Sequence, residues 1–233
     1  MTVPGLLARW LIDRLTEKRE RYGIPLSLYI GTTPLDSRDL WRKLEAALGL
    51  IAQHSPQWLR RMRAAGNSIN VQRIPGNRAR LEAGQRTILD PYLLANFSPA
   101  QIASSIVHEA THAVMRQRRF GYDAAAPARE ERACRRAELR FGRALAAAGI
   151  AGADAVVSRA RSALAMRDAD VGVAVDWREM KILETVTLIN ELPLPRWLKR
   201  WLARRRGVLH TAQGQAAFGE MKKPPNGGSA GLS

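Results

Sequence analysis

One cysteine, Cys134, stands in 233 residues, so no disulfide can close within the chain and a disulfide-stapled scaffold is excluded. Long apolar runs are missing too: no stretch approaches the ~18 residues that a membrane-crossing helix needs. The opening segment, MTVPGLLARWLIDRLTEKRERYG, starts apolar, but Arg9, Asp13 and Arg14 interrupt it and no small-residue cleavage pattern follows. Leu6, Leu7, Trp10, Leu11 and Leu15 recur there at helical spacing, which predicts an amphipathic helix and not a leader. A cytoplasmic protein is the expectation, with a membrane-peripheral placement as the alternative. Lysine is scarce as well: the 37 basic residues are 31 Arg and only 6 Lys, against 21 Asp+Glu, for a formal charge of +16. That excess suggests an acidic partner, nucleic acid or an anionic membrane. So lopsided an Arg:Lys ratio is also what a GC-rich genome produces without selection for binding, so charge is a secondary clue. The scarcest informative residue is histidine, with 4 in the chain.

What is present is ordinary globular composition, 46% hydrophobic and 25% charged, with enough length to bury a core. Residues 37–53 carry Leu40, Trp41, Leu44, Ala47 and Leu48 as a helical stripe behind Ser37, and a shorter helix opens at Ser55-Pro56 and closes at Gly66. Over 68–90 the texture changes to three short strand-like runs separated by Pro75-Gly76-Asn77 and Gly84-Gln85, which predicts a small antiparallel sheet. Ser98-Pro99-Ala100-Gln101 reads as a capping box opening a long helix to about Arg119. A second helix runs from Pro127 to near Gly149, and others are expected at about 152–166, 176–191 and 194–206. The expectation is a single predominantly helical α+β domain over 1–206. Its parts are N-terminal helices over 1–66, the sheet over 68–90, two central helices over 98–149, and C-terminal helices over 152–206. The Gly/Pro/Ser-rich stretch 207–233 reads as a flexible tail.

The long helix contains His108-Glu109-Ala110-Thr111-His112, an HExxH sequence. Residues i and i+4 of a helix share a face, so both imidazoles can bind one cation, while Glu109 reaches a water on that cation without ligating it. On a helical wheel Ile102, Ala103, Ile106, Val107, Ala110, Ala113 and Val114 form an apolar arc. His108 and His112 fall opposite it with Gln101, Ser104 and Ser105, facing a cleft. The competing reading, a pair of surface or hydrogen-bonded histidines, is the weaker one. A third protein ligand is required. Positions 115 and 118 are Met and Arg, so an HExxHxxGxxH extension is absent, and neither His54 nor His210 has a motif around it. The next helix offers Glu130, Glu131 and Glu138. Its apolar stripe centres on the azimuth of Glu130, with Glu131 at the stripe's edge in line with Glu138. A solvated i,i+4 pair with Arg135 is the plainer role for Glu131.

These residues resemble the gluzincin zinc peptidases, in which HExxH is followed by a helix bearing a Glu with a small residue three positions on. Glu130 with Ala133 and Glu131 with Cys134 both fit. The stretch from TILDPYLLANFSPAQIASSIVHEATHAV to ERACRRAELRF is also similar to a group of uncharacterised bacterial HEATH-motif metallopeptidases, in which the retained acid is the Glu three before the Cys. The resemblance spans roughly residues 68–145 and implies a zincin-like fold, Zn2+ as cofactor, and His108, His112 and Glu131 as ligands, with Glu130 as the alternative. It also implies peptide-bond hydrolysis by a metal-activated water with Glu109 as general base, acting on a protein or peptide substrate. The chain departs from several gluzincins in having no Asp after the small residue to orient a histidine. Tyr122, in the loop between the two helices, is the nearest candidate to stabilise an oxyanion, although an ordinary loop aromatic is the commoner case. The strand ending Thr87-Ile88-Leu89-Asp90 is expected at a sheet edge beside the cleft, where such folds hold extended substrate. Cys134 reads as a small buried apolar residue.

Two other classes compete. One is a metal-binding domain without hydrolytic activity. The other is a basic nucleic-acid- or membrane-binding protein with an incidental HExxH, using residues 194–206, where Trp197, Leu198, Trp201 and Leu202 share a face among six cations. A helix packing that face on its own domain is the plainer alternative. The sequence is silent on oligomeric state.

Overall fold

The computed structural model describes residues 14–31, 33–74, 79–82, 85–118, 126–166, 182–183, 185–187, 189–190, 192 and 194–205. Two residues with left-handed backbone, Tyr22 (φ 53°) and Gly23 (φ 70°), turn strand β1 (Glu17–Arg21) into β2 (Ile24–Leu28). The antiparallel register Arg21↔Ile24 makes this a two-residue hairpin, whose strand twist requires positive φ at both central positions. Every residue of β1 is exposed. It is held from the side instead: Glu17 accepts from the Trp41 indole at 2.6 Å, and Arg19 stacks 4.5 Å over the same ring. The expectation of helices throughout 1–66 is therefore corrected at 17–28. The strand EKRER has no apolar residue to reveal it. β2 does alternate, with Ile24, Leu26 and Leu28 buried and Pro25 outward, and its proline precedes the β3 pairing that begins at Leu26. Leu6, Leu7, Trp10 and Leu11 lie outside the described residues, and Leu15 is exposed.

Helices α1 (Ser37–His54) and α2 (Pro56–Ala64) carry the chain across one face of the sheet to β3 (Ser68–Val71), which lies parallel to β2. Such a crossover is what a parallel pair demands. β4 (Ala79–Glu82) then forms the edge, and β5 (Arg86–Leu89) inserts between β3 and β4, giving the order β1-β2-β3-β5-β4. The sheet is mixed: β1/β2 and β4/β5 are antiparallel, whereas β2/β3 and β3/β5 are parallel. The expected antiparallel sheet is corrected on this point. Three short runs in sequence suggest hairpins, and nothing local signals that the third passes beside the first.

Asp90, fully buried, ends β5 and caps α3 (Pro91–Asn96). Its carboxylate accepts from the backbone N–H of Tyr92 and Ile74 and from Arg73. Helix α4 (Pro99–Gln117) follows, with the capping box formed as expected: Ser98 accepts from Gln101 N–H and Gln101 accepts from Ser98 N–H. α5 (Ala126–Ala147) and α6 (Ala153–Ala165) complete the packing around α4. One core joins Leu26, Ile69 and Leu89 of the sheet to Leu44, Leu48 and Ile51 of α1, Ile102, Ile106 and Val107 of α4, and Phe141 and Leu145 of α5. The fold is α+β and predominantly helical. Helix α7 (Arg196–Arg205) belongs to a second, smaller cluster with Val186, Ile189 and Ala203. Among the described residues no helix is long and apolar enough to cross a membrane.

Candidate metal centre

Helix α4 is buried on almost every side, and this changes the setting of the HExxH sequence. Its apolar arc faces the sheet and α1 as expected, but its polar side is covered as well: Ser104, Ser105, His108, Glu109 and Thr111 are all buried. On this side the histidines face α5, whose Glu131 and Glu138 reach them. Buried polar groups need partners, and four of these find them: Ser104 donates to Glu138, Ser105 and Thr111 donate to the carbonyls of Gln101 and Val107, and His108 meets Glu138.

His108 and His112 stand one turn apart with ring centroids 5.0 Å from each other. Both turn Nε2 toward one carboxylate: His112 Nε2 lies 3.1 Å from Glu131 Oε1, and His108 Nε2 lies 3.5 Å from Glu131 Oε2. The His112 contact is of hydrogen-bond length and the two rings meet different oxygens of the carboxylate, so three residues able to ligate a cation converge on one place. Glu130 takes a different place, with its Oε2 3.7 Å from Nδ1 of His112, on the far side of that ring. The buried stripe of α5 runs through Cys134, Ala137, Glu138, Phe141 and Leu145, so it centres between the two acids and not on Glu130. The i,i+4 pairing of Glu131 with Arg135 is stretched to 3.9 Å, because that arginine donates to Glu138 at 2.8 Å.

Glu138, on the same helix as Glu130 and Glu131, stands behind His108 and not beside its Nε2. Its carboxylate is 1% exposed and lies 2.5 Å from Nδ1 of His108, the ring nitrogen pointing away from Glu131. It also accepts from Ser104 Oγ at 3.3 Å and from Arg159 at 3.4 Å. A carboxylate at the second ring nitrogen fixes a histidine's orientation and tautomer, the arrangement common behind metal ligands. The available signal was spacing: Glu138 follows Glu131 by seven residues and Ser104 precedes His108 by four, each pair sharing a helix face. Arg159 arrives from α6, and no spacing announces it.

Electrostatics follow from this crowding. Burial opposes a charge on His108, but hydrogen bonds to Glu131 and Glu138, with Glu109 nearby, outweigh it and raise its pKa to about 9. Burial likewise works against ionised Glu131, yet its hydrogen bonds to both histidines hold it well below the usual carboxylate range. Glu138 is also lowered, by His108, Arg135 and Arg159 against its burial. Glu109 goes the other way: burial raises it, and the two histidines only partly compensate. Cys134 brings its sulfur to within 4.8 Å of a donor atom on each histidine, so His108, His112 and Cys134 form a second possible ligand set. Burial and the charges of Glu131, Glu109 and Glu138 push that thiol far up, keeping it protonated.

Tyr122 lies outside the described residues. The strand containing Thr87, Ile88 and Leu89 is interior and not an edge, which corrects that expectation. The edge beside α4 is β4, where Leu81 C=O accepts from Arg116 at 3.4 Å. No family model, curated protein or solved structure matches the chain.

Proposed function

We propose that the chain is a zinc-dependent, gluzincin-type metallopeptidase whose metal ligands are His108, His112 and Glu131. The observation that carries the reading is the convergence of both Nε2 atoms on the one Glu131 carboxylate, at 3.1 and 3.5 Å. Glu131 is preferred to Cys134 because it is already ionised, whereas a thiol ligand must first lose its proton against three neighbouring carboxylates. Zinc, when bound, supplies Lewis acidity and brings the pKa of a bound water down to ~7. Glu138 holds the His108 ring in register, and Arg135 and Arg159 keep Glu138 ionised. Glu109, made more basic by burial, would take the proton of the water that adds to the peptide carbonyl and pass it to the amine nitrogen as the C–N bond breaks. β4, last in the strand order and beside the helix, is where an extended peptide could pair by its main chain once Arg116 releases the Leu81 carbonyl.

Metal analysis of purified protein tests this first, with one zinc per chain expected. Glu109→Gln is expected to keep the zinc and to lose cleavage of an unstructured protein substrate by at least ~100-fold, the usual scale of general-base loss. Glu131→Ala is expected to lose zinc, whereas Glu130→Ala and Cys134→Ser retain it. Equal zinc retention in Glu131→Ala and Glu130→Ala overturns the ligand assignment. One observation favours a second reading, a metal-binding domain without hydrolytic activity: Glu109 and His108 are only 6% and 7% exposed. A fully zinc-loaded protein that cleaves nothing in a broad peptide library would decide for that reading.

A further inference from the structure

An amphipathic helix in a folded protein ordinarily turns its apolar face inward. α7 does the reverse with its largest side chains. Trp197 is 70% exposed and Trp201 37%, while the residue it buries completely is Ala203, packed with Val186 and Ile189. Leu202 is half-buried at the margin of that small cluster, and Lys199 donates to the Asn190 carbonyl at 2.7 Å on the packed side. Of the four residues Trp197, Leu198, Trp201 and Leu202, Trp197 is turned furthest to solvent and Trp201 in part, while the two leucines are half-buried.

The outward face has a definite composition. Trp197 and Trp201 lie one turn apart, so their indoles occupy one face, and each has an arginine three positions on, Arg200 and Arg204. The ten residues RWLKRWLARR contain five cations, Arg196, Lys199, Arg200, Arg204 and Arg205, and no acid. An indole is apolar in its body and polar at its N–H, which suits the depth of lipid headgroups, and arginines beside it meet lipid phosphates and anionic headgroups. We infer that α7 is a docking surface for an anionic membrane, lying in the interface plane with Trp197 and Trp201 inserted at headgroup depth. Single-stranded nucleic acid also stacks on aromatics, but it draws on a positively charged groove that tracks its backbone. Two indoles one turn apart, among cations on a single helix, suit a planar interface instead.

The test is co-flotation of the full chain with vesicles of phosphatidylcholine containing about 30% phosphatidylserine, against pure phosphatidylcholine, at low and physiological salt. Binding to the anionic vesicles is expected, falling with salt and at least about tenfold weaker on neutral ones. The double variant Trp197→Ala/Trp201→Ala is expected to bind at least about tenfold more weakly, and Trp197→Ala alone, whose side chain is 70% exposed, to bind more weakly while keeping its thermal melting midpoint. Arg200→Glu/Arg204→Glu gives an independent reading, with a similar loss expected because each cation near such a surface contributes about fivefold. In wild type, brominated lipid should quench tryptophan emission, and in the Trp double variant that quenching should disappear. Equal flotation of wild type and the Trp double variant overturns the inference. So does failure to bind anionic vesicles accompanied by salt-sensitive retention of an oligonucleotide, which would assign the face to nucleic acid.

Discussion

Glu138 offers the sharpest single-residue test, because its carboxylate touches His108 on the nitrogen that no cation would occupy. Glu138→Gln preserves shape but removes the charge that holds the ring and balances Arg135 and Arg159. Zinc affinity is expected to fall about 10–100-fold, the usual cost of losing such a supporting partner, with the ligands themselves intact. Competition against a chelator of known affinity measures it, and unchanged affinity would show that the His108–Glu138 contact is only structural. His108 also sets a pH dependence. Its pKa is about 9 in the folded metal-free protein against 6.5 for a free imidazole, so its contribution to stability is complete below about pH 6.5 and is lost as pH rises through about 9. Glu131 and Glu138, both lowered, contribute above the ordinary carboxylate range, and that contribution is lost as pH falls below it. The metal-free melting midpoint should therefore decline from pH 6.5 toward 9. A cation must displace the His108 proton, so apparent zinc affinity should rise over the same interval, by about tenfold per pH unit for one proton released. Flat affinity between pH 6.5 and 8.5 would mean that His108 is not a ligand.

The start of α4 is braced by the start of α6. Gly152, at φ +83°, caps α6, and a Cβ added there would stand 2.5 Å from Ser98 Oγ, the atom that caps α4. Gly152→Ala meets both the left-handed backbone, which costs about 1–2 kcal/mol for a residue with a Cβ, and that close contact. Destabilisation of about 2–3 kcal/mol by chemical denaturation is expected. Ser98→Ala alone should cost about 1 kcal/mol through the lost cap. Because it also deletes the atom in the way, the double variant should be less destabilised than the two losses added; strict additivity would show that the caps do not touch. Ser98 and Gln101 also mark what the sequence made legible at this scale. Local signals, a capping box, a proline at the first turn and an i,i+4 pair, are complete within a few residues, so α4 and its histidines could be read directly. β1 could not, since EKRER exposes every side chain and is held in place by Trp41 some twenty residues away. The parallel β3/β5 pairing depends on contacts across the molecule that no local period encodes. The site divides the same way: His108, Glu109 and His112 follow from spacing, and Glu131 was separable from Glu130 only by resemblance. The brace from Arg159 required the third helix to be in place.

At the scale of the whole molecule, the formal charge of +16 is less diffuse than the sequence suggests. Arg19, Arg21, Arg38 and Arg42 gather in a groove beside Trp41, where Glu45 and Asp39 neutralise Arg19 and Arg42, whereas α7 holds five cations with no acid among them. The proposed metal centre is a second organising element, because it draws its ligands from both α4 and α5. Whatever binds the folded chain and not the unfolded one stabilises it by RT ln(1 + [L]/Kd), about 1.4 kcal/mol for each tenfold of free ligand above Kd. For a chain of this size 1 kcal/mol moves the melting midpoint by roughly 2–4 °C. Chelation should therefore lower the midpoint of the purified protein, and each tenfold increase of free zinc should restore about 3–6 °C. Glu131→Ala should melt at the same temperature with and without zinc. Trp197→Ala/Trp201→Ala should keep the full zinc response, because those side chains belong to the surface of α7 and contribute no ligand. If the Trp double variant lost the zinc response along with vesicle binding, the metal centre and α7 would be one cooperative unit. If only Glu131→Ala lost it, the charge would serve where the protein docks, and the histidines what it does there.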